Sequence, residues 1–131
     1  MSGEFLGVGW SFPVGLDENG QMAMAYYEES VRQAIWTILG TARGERAMRP
    51  DFGCGIHDLV FAVNSAGTAG QVASEVHQAL LQWEPRIDVL DVQVNPGGSG
   101  QVLLIRIDYQ VRATNNAFNL VYPFYLERSA G

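Results

Sequence analysis

Apolar residues recur at helical spacing over residues 26–39. Tyr27, Val31, Ala34, Ile35 and Ile38 would share one face of a helix there. Glu28 and Glu29 fall in its first turn, where a carboxylate suits the helix dipole, and Gly40 falls at a C-terminal cap position. A second helical pattern spans 66–83, with Val72, Val76, Ala79, Leu80 and Trp83 on one face. Ser65 is placed to cap its start, and Pro85 stops it because the residue before a proline avoids the helical region. The period then changes to two. Residues 87–94, 102–112 and 118–126 read as three strands. Leu103, Ile105, Ile107, Tyr109 and Val111 alternate in the second, and Phe118, Leu120, Tyr122, Phe124 and Leu126 share a face of the third. Turns are expected at 95–100 and 114–116.

Upstream, residues 17–20 read as a turn, with a short strand at 21–25 after it. Residues 1–16 hold Phe5, Leu6, Trp10, Phe12 and Pro13 among glycines and suggest an extended arm. Between the helices, residues 41–55 show no sustained period, and 56–61 could form one helical turn. The expected organisation is an arm followed by a single domain over 17–131. Its class is α+β, two main helices packed on a small antiparallel sheet.

Composition narrows the function. The chain has 131 residues, 47% of them hydrophobic, enough for one core. Its formal charge is −6, which argues against a nucleic-acid surface. All eight basic residues are arginines. That composition fits either codon bias or bidentate contacts at interfaces. No apolar run approaches a membrane span, and the N-terminus lacks a basic segment followed by a sustained apolar one. Cytoplasmic assembly without membrane insertion is the expectation, in a particle that is released or anchored.

Chemical candidates are sparse. Cys54 is a lone thiol between glycines and reads as a small apolar filler. His57 and His77 have no nucleophile nearby in sequence and are expected to face solvent. Glu45, Asp51, Asp58 and Glu84 are available acids, but nothing in the sequence pairs two of them across a cleft. No metal or cofactor motif is present. Arg43, Arg46 and Arg49 alternate with Glu45 and Asp51 around Pro50 and Gly53, either as a local ion-pair network or as a contact surface. Glu84-Pro85-Arg86 is either an ordinary helix stop or a rigid polar knob whose opposite charges point apart. Pro123 lacks an N–H, so its strand must be a sheet edge or carry a bulge. That edge is either simply protected or open to pairing with another chain.

Gly44-Glu45-Arg46-Ala47-Met48-Arg49-Pro50-Asp51-Phe52-Gly53-Cys54-Gly55-Ile56 resembles the signature of the phage T4-type baseplate wedge family. That family includes the TssE-like baseplate subunit of type VI secretion and of contractile injection systems. Glu84-Pro85-Arg86 is similar to the family's Glu-Pro-Arg motif. The closing Asn119-Leu120-Val121-Tyr122-Pro123-Phe124-Tyr125-Leu126-Glu127 looks most like the injection-particle and phage-like branches.

The resemblance implies a structural subunit of a contractile tail, with a fold similar to the sheath interlocking domain and no cofactor. It implies contact with two larger wedge subunits through Glu84, Pro85 and Arg86, with Arg46, Arg49 and Phe52 as a second surface. It also implies that Leu120, Val121, Tyr122, Pro123 and Phe124 form an edge that pairs with sheath protein, with hub or spike proteins nearby. Some family members carry a lysozyme-like name, so a peptidoglycan hydrolase is one alternative. A free regulatory binding module on the same fold is another.

Overall fold

A computed structural model describes residues 18–44, 52–62, 65–98 and 101–126. The expected arm and the Arg46 and Arg49 positions lie outside the described residues. Helix α1 (Glu18–Gly40) and helix α2 (Ala66–Trp83) cover one face of a sheet of three antiparallel strands. The strands are β1 (Ile87–Pro96), β2 (Val102–Val111) and β3 (Ala117–Tyr125), adjacent in chain order.

α1 begins eight residues earlier than the periodicity suggests, so the turn over 17–20 and the strand over 21–25 do not form. Gln21, Met22, Ala23, Met24 and Ala25 all favour helix, and Gly20 lies in the first turn. A tertiary clasp holds the middle of α1. The Glu28 carboxylate accepts from Thr114 Oγ1 at 2.6 Å and from Asn116 Nδ2 at 2.7 Å, tying the helix to the β2–β3 turn. Gly40 is the last helical residue and not a left-handed cap. Thr41 finishes the helix, its hydroxyl donating to the Thr37 carbonyl at 2.7 Å. Ser65 caps α2 as its position suggests, accepting from the Thr68 N–H. Glu84 N–H closes the last turn onto the Leu80 carbonyl.

The core follows the pattern closely. Tyr27, Val31, Ile35, Ile38 and Leu39 of α1 meet Val72, Val76, Ala79 and Leu80 of α2. Both sets rest on Leu103, Ile105, Ile107, Tyr109 and Val111 of β2, all buried. Each such aliphatic side chain contributes about 2 kcal/mol over an exposed position. β1 carries a bulge between Val89 and Asp91. It leaves Leu90 exposed and moves the inward positions from Ile87 and Val89 to Val92 and Val94.

Between the helices lie a 3-10 turn, Gly55–Leu59, and a parallel bridge joining Ala42 to Cys54. Gly53 has φ 125°, and a Cβ there would come within 2.5 Å of the Thr41 carbonyl oxygen. Only glycine lets the chain return so close to the end of α1.

Candidate functional site

The residues around Pro85 form a closed corner. Trp83 ends α2, and Glu84 leaves the helix with φ −128° and ψ 78°. Glu84 is only 2% exposed. Its carboxylate is gripped by Arg86 in a two-pronged bridge, Nε to Oε1 at 2.7 Å and Nη2 to Oε2 at 2.8 Å. The Arg86 backbone N–H also donates to Oε1. The expectation of charges pointing apart is therefore corrected. Two residues either side of a proline turn face each other, and burial of the carboxylate demands a partner. The guanidinium stands 5.9 Å from the centre of the buried Tyr27 ring. Burial pushes the Tyr27 hydroxyl above its ordinary range, while Arg86 pulls it back.

An open groove of about 420 Å³ lies beside this corner. Ala34, Thr37 and Ile38 of α1 line it with Phe52, Trp83 and the Glu84-Pro85-Arg86 turn. Phe52 packs edge-on to Trp83, with ring centres 5.0 Å apart. The fold thus brings Phe52 from the first motif into the lining of the same groove as all three residues of the second. Sequence reasoning missed the α1 wall of the groove and Tyr27. Ala34 had been assigned to the core face, but it is half-buried and faces this groove.

The Arg-rich loop is tied elsewhere. Arg43 pairs with Glu75 of α2 at 3.2 Å, a carboxylate 32 residues away on another element. A Cβ on Gly55 would collide with the Glu75 carboxylate and crowd the Arg43 guanidinium. Gly55 therefore makes room for that pair. Cys54 is fully buried, donates to the Glu75 carbonyl, and has its thiol pushed up to about 11 by burial. His57 corrects another expectation. It is half-buried, its Nε2–H donates to the Leu39 carbonyl at 2.8 Å, and its ring meets Phe124 edge-on. His77 and Asp58 are exposed. Among the described residues no group of three His, Cys, Asp or Glu is placed to hold a metal ion. No helix there is long and apolar enough to cross a membrane.

The Pro123 strand is an edge, as its missing N–H requires. Its register shows which way each backbone group points. Val111 N–H bonds to Asn116 and Leu126 N–H bonds to Gln101, so the even-numbered residues of β3 pair with β2. The odd-numbered residues face outward: Ala117, Asn119, Val121, Pro123 and Tyr125. Of the expected pairing set, Leu120 and Phe124 are buried in the core, and Tyr122 packs edge-on to Trp36 at 4.7 Å. Val121 and Pro123 are the members whose backbone faces out.

A family model described as baseplate wedge protein gp25 matches residues 25–116. The chain belongs to the gp25 baseplate wedge family. It is 30% identical over 96 residues to the gp25 baseplate wedge protein of Enterobacteria phage T4, covering 73% of each chain. A crystal structure of a Geobacter sulfurreducens protein, provisionally named a tail lysozyme, is 58% identical with a TM-score of 0.73. The match covers 79% of this chain and 94% of that one. A chain of a type VI secretion baseplate complex shares the fold at 23% identity with a TM-score of 0.63, covering 82% of this chain and 98% of that one. The wedge family is one of structural baseplate subunits of contractile systems. The family match includes both the loop and the Glu84-Pro85-Arg86 corner. It stops at Asn116, one residue before β3.

Proposed function

We propose that this wedge subunit is an adaptor with two docking surfaces. The corner groove takes an apolar segment of the larger wedge subunits, and Arg46 and Arg49 of the preceding loop are further partner contacts. The outward edge of β3 takes a strand from the first ring of sheath protein, and hub or spike proteins lie alongside. The protein assembles with them in the cytoplasm. The observation that carries the docking half is the groove itself, where Phe52, Trp83, Pro85 and Arg86 from separate motifs share one wall. Glu84 does not reach a partner directly. It is a positioning residue that fixes the guanidinium of Arg86, whose side chain is 21% exposed, at the groove rim. A pre-set arginine beside aromatic side chains is the composition of an interface hot spot.

The reading is of a scaffold, not a hydrolase. The Glu84 carboxylate is buried and committed to three hydrogen bonds from Arg86, so it is not placed to reach a glycosidic bond. The test replaces Glu84 and Arg86 together with methionine. Removing both charges keeps volume and avoids stranding one ion, so the monomer stays folded. Baseplates should fail to form when this variant is the only copy present. Normal sheathed particles from a folded variant would refute the docking surface. Purified protein should leave peptidoglycan intact; clearing that is lost in Glu84→Gln would favour the hydrolase.

A further inference from the structure

Apolar side chains stand at every second position ahead of α1: Leu6, Val8, Trp10, Phe12, Val14 and Leu16. The positions between them hold Gly7, Gly9, Ser11, Pro13 and Gly15. Extended, that pattern gives one apolar face and one slim face, with no charge from Phe5 to Leu16. Such a face needs an apolar surface to cover it, and the chain joins the body at Glu18, the start of α1. Of three depressions along α1 among the described residues, two carry Glu29 and Arg32 in their walls. The third is the corner groove, walled by Ala34, Ile38, Phe52 and Trp83. Its two charges, Glu84 and Arg86, neutralise each other in their bridge. Ala23, Ser30, Ala34 and Thr37 follow one stripe of α1 from its early turns to this groove, and none is larger than threonine. The lengths agree as well. Ala34 and Ile38 lie about 24–30 Å along α1 from Glu18, at about 1.5 Å per residue. Residues 8–12, extended back from Glu18 at about 3.3 Å each, fall level with the stretch from Tyr27 to Ile38.

We infer that residues 6–14 of this chain fold back along α1 and strap the corner groove in the free subunit, with Trp10 and Phe12 against Phe52 and Trp83. The segment is uncharged, as the groove is in sum, and its tether at Glu18 keeps it at high effective concentration there. One part of the inference rests on the reading that the groove docks the wedge subunits: their segment must displace the strap. The subunit then keeps its apolar docking surface covered until that partner arrives. The affinity the partner meets is lowered to the extent that the groove is already filled.

Paired cysteines and a short bis-maleimide test the strap in the full-length chain. Ser11→Cys lies between the two anchors, and Thr37→Cys lies on the groove wall. Arg32→Cys, on the side of α1 that faces Phe118, is the control. Cys54 is fully buried, with its thiol pushed up to about 11, so it does not compete at pH 7. Ser11→Cys should cross-link within one molecule to Thr37→Cys about fivefold faster, or more, than to Arg32→Cys. Equal rates would leave the segment without a fixed seat, and cross-links only between molecules would seat it on a second copy; either overturns the inference. Adding Trp10→Ala and Phe12→Ala should remove the preference, with circular dichroism as the check on folding. A preference that persists overturns those anchors. The same two alanines, without the cysteines, should strengthen association with a purified complex of the two larger wedge subunits by about tenfold. Unchanged or weaker association overturns the displacement. If neither protein associates while the Thr37→Cys cross-link forms, the docking reading fails and the strap stands.

Discussion

Two arginine–glutamate pairs involve helix α2, one at its middle and one just past its end, and they differ in almost everything except their chemistry. Arg43/Glu75 joins the Gly-rich loop to the helix, single-pronged at 3.2 Å, with side chains 48% and 36% exposed. Arg86/Glu84 closes the far end of the helix, two-pronged, with the carboxylate 2% exposed. Water screens the first and leaves little net free energy in it. The second is hard to break from one side, because a stranded buried carboxylate has nothing else to bind. The lesson is that the pair nearer the longer motif is a fastening, whereas the pair in the three-residue motif holds a shape.

The sharpest break in that comparison is Arg86→Ala. It leaves Glu84 buried and unpaired, and chemical denaturation should show a loss of about 3 kcal/mol or more. Glu84→Ala should cost less, since the freed guanidinium can turn toward solvent. Replacing both with methionine should return most of the loss, a non-additivity that a double-mutant cycle measures directly. Additive losses would mean that the two side chains are not coupled.

Alkaline pH probes the Cys54 region under the outer pair. The thiol is raised from an ordinary value of 9.0 to about 11 in the folded state. A raised value adds stability that is fully present below pH 9 and is lost as the pH rises through about 11. The complete shift corresponds to about 3 kcal/mol. Tyr27, Tyr109 and Tyr122 are also raised by burial and act with the same sign from about pH 10 upward. Stability should therefore be level from pH 7 to 9 and then fall. Cys54→Ser should soften the early part of that fall. A native thiol that reacts with iodoacetamide at pH 8 as fast as the unfolded chain would contradict the burial.

Gly53→Ala should cost about 1–3 kcal/mol, since the added methyl meets the Thr41 carbonyl at a positive φ. The smallest effect expected is that of Arg43→Ala, under about 1 kcal/mol and shrinking in high salt. A large, salt-insensitive loss would erase the contrast between the two pairs.

The wedge family match covers both pairs but ends before β3, so it does not reach the edge proposed for sheath contact. Much of the rest was legible in the residues. Period-two alternation determined the buried face of β2, and 3.6-residue spacing determined most of the helical stripes, because burial is the strongest constraint on which residue types can occupy those positions. The start of α1 was not legible. Asn19-Gly20 is a turn signal in isolation, and besides the helix-favouring residues 21–25 it is contacts of Met24 and Glu28 with Thr114 and Asn116, 86 to 92 residues apart, that support the helix. The solvent-facing histidine expected at 57 failed for the same reason, since its carbonyl partner comes from Leu39 on another element.

By itself the sequence determined the class of fold, the cores of all five main elements, that the Pro123 strand must be an edge or carry a bulge, and the family. Each of these depends on local periodicity or on residues close together in the chain. Only the tertiary structure decided that Glu84 and Arg86 grip each other and that Arg43 reaches α2. It alone decided that Phe52 joins the Pro85 corner and that Trp36 overhangs the outer strand. These depend on distances between elements, which folding sets through the packing of the core and which no spacing along the chain encodes.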